Sequence, residues 1–103
     1  MFSFIETKLF SRLIGKLLSD EEYASLQNAL IANPESGSLI VGSGGVRKLR
    51  WSARGRGKRG GVRVVYYARF REGVIWMLTI YAKNVAENIP AGVLRKIKEE
   101  IDG

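Results

Sequence analysis

The sequence predicts an α+β domain with the element order β-α-α-β-β-β-α, and three observations carry that expectation. The first third spaces its apolar residues as helices do; the middle holds three runs rich in β-branched and aromatic residues; the final stretch returns to helical spacing. At 103 residues, 46% of them hydrophobic, the chain suits one domain spanning residues 1–103 with a core of its own.

Residues 2–6 alternate large apolar with small or polar side chains, the mark of a short strand. Phe10, Leu13, Ile14, Leu17 and Leu18 then recur at helical spacing. Ser19-Asp20-Glu21-Glu22 has the form of a capping box, and Tyr23, Leu26, Leu30 and Ile31 mark the apolar face of the helix it starts. Asn33-Pro34 stops that helix, because the residue before proline is driven out of the α region. Residues 38–41 read as a brief strand and 42–45 as a glycine-rich turn. Three strands follow at 46–51, 62–70 and 74–82, the last two joined through Glu72-Gly73 as a hairpin. Residues 89–101 close the chain as a helix whose Val93, Leu94, Ile97 and Ile101 share one face.

Charge is distributed unevenly over this scaffold. Seventeen Lys and Arg against ten Asp and Glu give a formal net charge of +7, and the pI near 10.1 points to a polyanionic partner. No acid lies between Glu35 and Glu72, an interval that holds Arg47, Lys48, Arg50, Arg54, Arg56, Lys58, Arg59, Arg63, Arg69 and Arg71. Strand alternation sorts the cations further. With Leu49 and Trp51 facing the core, Lys48 and Arg50 face away; with Val62, Val64 and Tyr66 on one side, Arg63 joins Val65 and Tyr67 on the other. Lys48, Arg50 and Arg63 are thus expected to line one surface, rimmed by the basic loop that carries Arg54, Arg56, Lys58 and Arg59. Arg63 interrupts an otherwise apolar strand, where a charge is costly unless an anion meets it.

Several chemistries are excluded by residue type. The chain has no cysteine and no histidine, hence no disulfide, no thiolate metal site and no Ser-His or Cys-His nucleophile system. GRGKRGG has neither the spacing of a nucleotide-binding P-loop nor its terminal Ser or Thr, and no carboxylate cluster suits a divalent metal. No cofactor is expected. Glu6 interrupts the N-terminal apolar stretch before a signal peptide could form, and the run 74–82 is less than half a membrane span, so a cytoplasmic, membrane-free protein is expected.

The runs SDEEYASLQ, NPESG, GSGGVRKLRWS, GKRGGVRVVYY and LTIYAKN, in this order and spacing, resemble the HigB branch of the RelE/ParE superfamily of type II toxins. The similarity covers nearly the whole chain. It implies two N-terminal helices packed on a small twisted antiparallel sheet, with a C-terminal helix. It further implies a ribosome-dependent mRNA interferase that cuts messenger RNA in the ribosomal A site and is held inactive by a cognate HigA-like helix-turn-helix antitoxin. Catalysis in such enzymes relies on Lys and Arg side chains presented by the sheet. Matched onto this sequence, the central strand arginine is Arg63, the basic positions before it are Lys48 and Arg50, and the lysine ending the last strand is Lys83. RelE-like enzymes carry an arginine after that lysine and a tyrosine farther on. Here Asn84 follows Lys83 and no tyrosine follows Tyr81, so the resemblance assigns no proton-moving residue.

The chemistry also follows from the residues themselves. RNA carries its own nucleophile, the 2′-hydroxyl, so an enzyme need only deprotonate it, align the phosphate and stabilise the added charge of the transition state. A planar, permanently charged guanidinium such as that of Arg63 suits the last task. In a crowd of cations an ammonium gives up its proton more readily, which makes Lys58, Lys83 and Lys48 the candidates for general base and acid. Together with the resemblance, these residues lead to the expectation of a metal-independent endoribonuclease. Two rivals share the basic surface: a ParE-like gyrase poison and a non-catalytic nucleic-acid-binding module.

Overall fold

A computed structural model describes residues 2–52, 61–83 and 89–103. Its elements are β1 (Ser3–Glu6), α1 (Lys8–Leu17), α2 (Asp20–Ala32), β2 (Ser38–Leu39), β3 (Arg47–Trp51), β4 (Val62–Arg69), β5 (Val74–Ala82) and α3 (Ala91–Asp102). The α+β class agrees with the sequence reading, and the observed order β-α-α-β-β-β-β-α has one strand more than the β-α-α-β-β-β-α expected, because the brief segment at 38–39 pairs as a strand of its own.

The helix starts are fixed by side chains. Thr7 Oγ1 accepts from the Phe10 N–H at 3.1 Å and donates to the Leu78 carbonyl at 2.7 Å, which caps α1 and ties it to the sheet. The capping box of α2 closes in both directions: Ser19 N–H donates to Glu22 Oε1 at 2.8 Å, and Glu22 N–H donates to Ser19 Oγ at 3.1 Å.

The sheet has the order β1-β5-β4-β3-β2. Four of its strands pair antiparallel, but β1 runs parallel to β5, so the sheet is mixed where a purely antiparallel one was expected. The hairpin leaves one side of β5 open, and the long connection that separates β1 from β5 in the chain allows β1 to fill that edge in the parallel sense. β2 is shorter than the 38–41 strand read from the sequence and meets only Arg47 and Lys48.

Each face of the sheet carries its own apolar cluster. Phe10, Leu18, Leu26 and Leu30 from the α1 and α2 region pack on Val62, Val64, Tyr66, Ile75, Met77 and Ile80. On the opposite face Leu94, Ile97 and Ile101 of α3 pack with Val46, Val65, Tyr67, Trp76 and Leu78. Two residues assigned to helix stripes lie off them. Ile31 is 38% exposed and Val93 46% exposed, because each is one residue, or about 100°, from the buried position beside it. The buried Tyr66 hydroxyl donates to the Pro34 carbonyl at 2.7 Å and accepts from the Gly37 N–H at 2.9 Å, pinning the chain between α2 and β2.

Two irregularities set the register near the basic residues. Gly61 enters β4 at φ +73°, and a Cβ there would sit on the Trp51 carbonyl oxygen, so only glycine lets the two strands approach. In β5 a bulge shifts the pairing from Tyr66↔Met77 to Val65↔Thr79, leaving Leu78 as the extra residue. No helix among the described residues is long and apolar enough to cross a membrane.

Candidate functional site

The strand register brings the predicted cations together. Arg50 pairs with Arg63 across β3 and β4, and Arg63 pairs in turn with Tyr81 of β5. One step along, Lys48 pairs with Val65, and Val65 with Thr79. Val65 and Tyr81 belong to the α3-side cluster, while Leu49, Trp51, Val62 and Val64 belong to the α1/α2 side. Lys48, Arg50, Arg63 and Tyr81 therefore share the face that α3 packs on, as alternation predicted for the three cations. Lys48 and Arg50 are exposed and Arg63 is half-buried. Among its interactions, Arg63 Nη1 donates to the Val62 carbonyl at 3.4 Å.

Lys83 follows directly on β5 and is exposed. Its N–H donates to the Gly61 carbonyl at 3.2 Å, extending the ladder one residue beyond Val62↔Ala82. The backbone of Lys83 thus stands at the end of the sheet where β4 begins, two residues from Tyr81. Lys58, Arg54, Arg56 and Arg59, assigned to the rim and to proton transfer, lie outside the described residues, as does Asn84.

Tyr81 is the member that sequence reasoning missed, and the bulge explains why. An unbroken ladder continued from Tyr66↔Met77 would place Ile80 opposite Arg63. The extra Leu78 advances the register by one and delivers Tyr81 instead. Tight backbone irregularities of this kind leave little trace in hydrophobic alternation.

The electrostatics of this face divide along its length. At the hairpin end Arg69 Nη2 lies 3.0 Å from Glu72 Oε1, and its Nε lies 3.3 Å from Asp102 Oδ1. Lys98 Nζ lies 2.9 Å from Asp102 Oδ2, and the Tyr67 hydroxyl donates to the same carboxylate at 3.0 Å. Burial pushes the Asp102 carboxyl up, but hydrogen bonds from Lys98 and Tyr67 outweigh it and hold the group below its ordinary value. Burial, aided by the Asp102 hydrogen bond, raises the Tyr67 phenol. The Asp102 hydrogen bond also raises the Lys98 ammonium. At the other end, no ion pair among the described residues includes Lys48, Arg50 or Lys83.

Like charges directly opposite each other in a sheet are destabilising, typically by some tenths of a kcal/mol to about 1 kcal/mol. An anion within reach of both side chains would offset the repulsion between Arg50 and Arg63. Two guanidinium forks with an ammonium beside them can grip a phosphodiester and stabilise extra charge on its oxygens. Among the described residues no group of three or more carboxylates lies placed to hold a metal ion. Compared with models of known protein families, the sequence finds no match.

Proposed function

We propose that this chain is a metal-independent endoribonuclease of the RelE-like kind, resembling its HigB branch: the toxin of a type II pair, cutting messenger RNA on the ribosome. The observation that carries this reading is the direct cross-strand pairing of Arg50 with Arg63, flanked by Lys48 on the same face. The resemblance supports it as well: GSGGVRKLRWS contains Lys48 and Arg50, GKRGGVRVVYY contains Arg63, and LTIYAKN contains Lys83.

The reaction asks little of the protein beyond placement. A base takes the proton of the 2′-hydroxyl, and the freed oxygen forms a bond to phosphorus. The 5′-oxygen then leaves with a proton, and a 2′,3′-cyclic phosphate remains. Arg63, supported by Arg50, holds the non-bridging oxygens as negative charge gathers on them. Lys83, Lys48 and Lys58 are the candidates for the two proton transfers. A site without histidine gains most from an external scaffold that aligns the substrate, which is the part given to the ribosome. A HigA-like helix-turn-helix antitoxin would keep the site inactive.

The test is primer extension on a defined message after brief induction. New 5′ ends inside codons, together with growth arrest relieved by the antitoxin, are the expected result. Arrest with intact messages and damaged DNA would instead assign a gyrase poison, and neither effect would leave a binding module.

A further inference from the structure

The side of β3 opposite the basic row borders a cleft of about 390 Å³ lined by Glu21, Glu22, Ser25, Trp51 and Ser52. We propose that this cleft binds a guanine of single-stranded RNA, the base next to the phosphate held by Arg50 and Arg63. The assignment rests on the ribonuclease reading above and adds to it a base-reading subsite.

Trp51 supplies the stacking wall. It packs against the larger core cluster, which fixes its ring, yet it stays partly exposed in the cleft. Stacking a base on such a ring is worth about 1–3 kcal/mol and by itself favours no base. Selectivity has to come from the polar wall on α2. Glu22 is engaged by the Ser19 N–H at 2.8 Å. Glu21 is exposed, and no hydrogen bond or ion pair among the described residues includes its side chain. Ser25 lies one helical turn on, on the same side of α2.

A carboxylate offers two acceptors side by side and no donor. Only guanine presents two adjacent donors, N1–H and N2–H, on its Watson–Crick edge. Adenine and cytosine set an acceptor nitrogen beside their amino group, and uracil flanks its one N–H with carbonyls. The negative charge of Glu21 also turns phosphates away, so a base edge and not the backbone is what this cleft receives.

The strand layout gives the RNA a path. β2 pairs with β3 only at Arg47 and Lys48, so from Leu49 to Trp51 β3 is the outermost strand of the described sheet. Arg50 and Trp51 are consecutive and point to opposite faces. An RNA strand bound over Arg50 can turn round this edge and lay its next base against Trp51.

Fluorescence anisotropy tests the assignment with labelled oligouridine carrying one central guanosine, adenosine or cytidine. The wild-type chain should bind the guanosine oligomer on the order of tenfold more tightly than the other two. Glu21→Ala should bring the guanosine oligomer down to the level of the others. Ser25→Tyr, which fills the cleft, should do the same while melting as the wild type does. In NMR spectra, guanosine monophosphate should shift the Trp51 indole N–H where adenosine monophosphate does not. RNA bound through Arg50 and Arg63 without base preference overturns the cleft assignment and leaves the ribonuclease reading standing. Absence of any binding to these free oligomers overturns the cleft assignment, whereas the ribonuclease reading stands or falls on primer extension with ribosomes present. A preference that survives Glu21→Ala, or a Trp51 shift produced by an arginine amide and not by the guanine nucleotide, also overturns the assignment.

Discussion

Arg63 and Arg69 stand on one strand, six residues apart and on one face of the sheet, yet they are treated oppositely. Arg69 lies between Glu72 and Asp102 and helps fasten α3 to the sheet. Arg63 lies beside Arg50, a like charge. The contrast extends to their neighbours, since Lys98 at the hairpin end is paired with Asp102 while Lys48 and Arg50 form no ion pair among the described residues. On the proposed ribonuclease reading, the cations of the α3 end serve the fold and those of the basic end serve the substrate. The two ends of β4 should therefore respond to mutation in different observables.

The sharpest way to break the contrast is to convert one end into the other. Arg63→Glu would set a carboxylate opposite Arg50 and form the kind of cross-strand pair that adds stability. Cleavage should fall by roughly 10³-fold or more while the melting temperature holds or rises slightly. Next in size is Gly61→Ala. Its Cβ would meet the Trp51 carbonyl at a backbone conformation costly for alanine, so stability should drop by roughly 2 kcal/mol or more, read as a lower urea midpoint, with cleavage lost alongside. Arg50→Ala should weaken RNA binding and lower the slope of log affinity against log salt by about one, one phosphate contact, with little change in melting.

The smallest effect belongs to the α3 end. Asp102→Asn should lower the melting temperature by a few degrees and leave cleavage as it was. Because the folded Asp102 carboxyl lies below its ordinary value, its contribution is complete above the unfolded carboxylate range and is lost as pH falls through the folded value. The melting gap between wild type and Asp102→Asn should therefore be constant from about pH 5 to pH 9 and close below about pH 4. A gap that closed on the alkaline side of neutrality would mean that the latch depends on another group.

Much of this was legible in the sequence, and for physical reasons. Burial alternates along β3, and in β4 Val62 and Val64 flank the less buried Arg63, so the shared face of Lys48, Arg50 and Arg63 followed from Leu49, Trp51, Val62 and Val64. The capping box at Ser19 and Glu22 named its helix start because both hydrogen bonds are local. What depended on distant partners was hidden. Nothing in residues 3–6 states that they pair parallel to β5, and nothing in LTIYAKN states that Leu78 bulges and brings Tyr81 to Arg63. The pairing of Asp102 with Arg69 and Lys98 was hidden likewise, although it fastens α3 to the sheet.

One measurement bears most directly on the claim that the two ends of β4 are specialised. Single-turnover cleavage on programmed ribosomes, with melting of the same preparations, should be compared for Arg63→Ala and Arg69→Ala. Arg63→Ala is expected to cut roughly 10²- to 10³-fold more slowly and to melt nearly as the wild type does. Arg69→Ala is expected to cut at the wild-type rate and to melt lower. If Arg63→Ala cuts normally, or if both variants lose activity only in proportion to lost stability, the basic end of β4 is not the centre of a ribonuclease site.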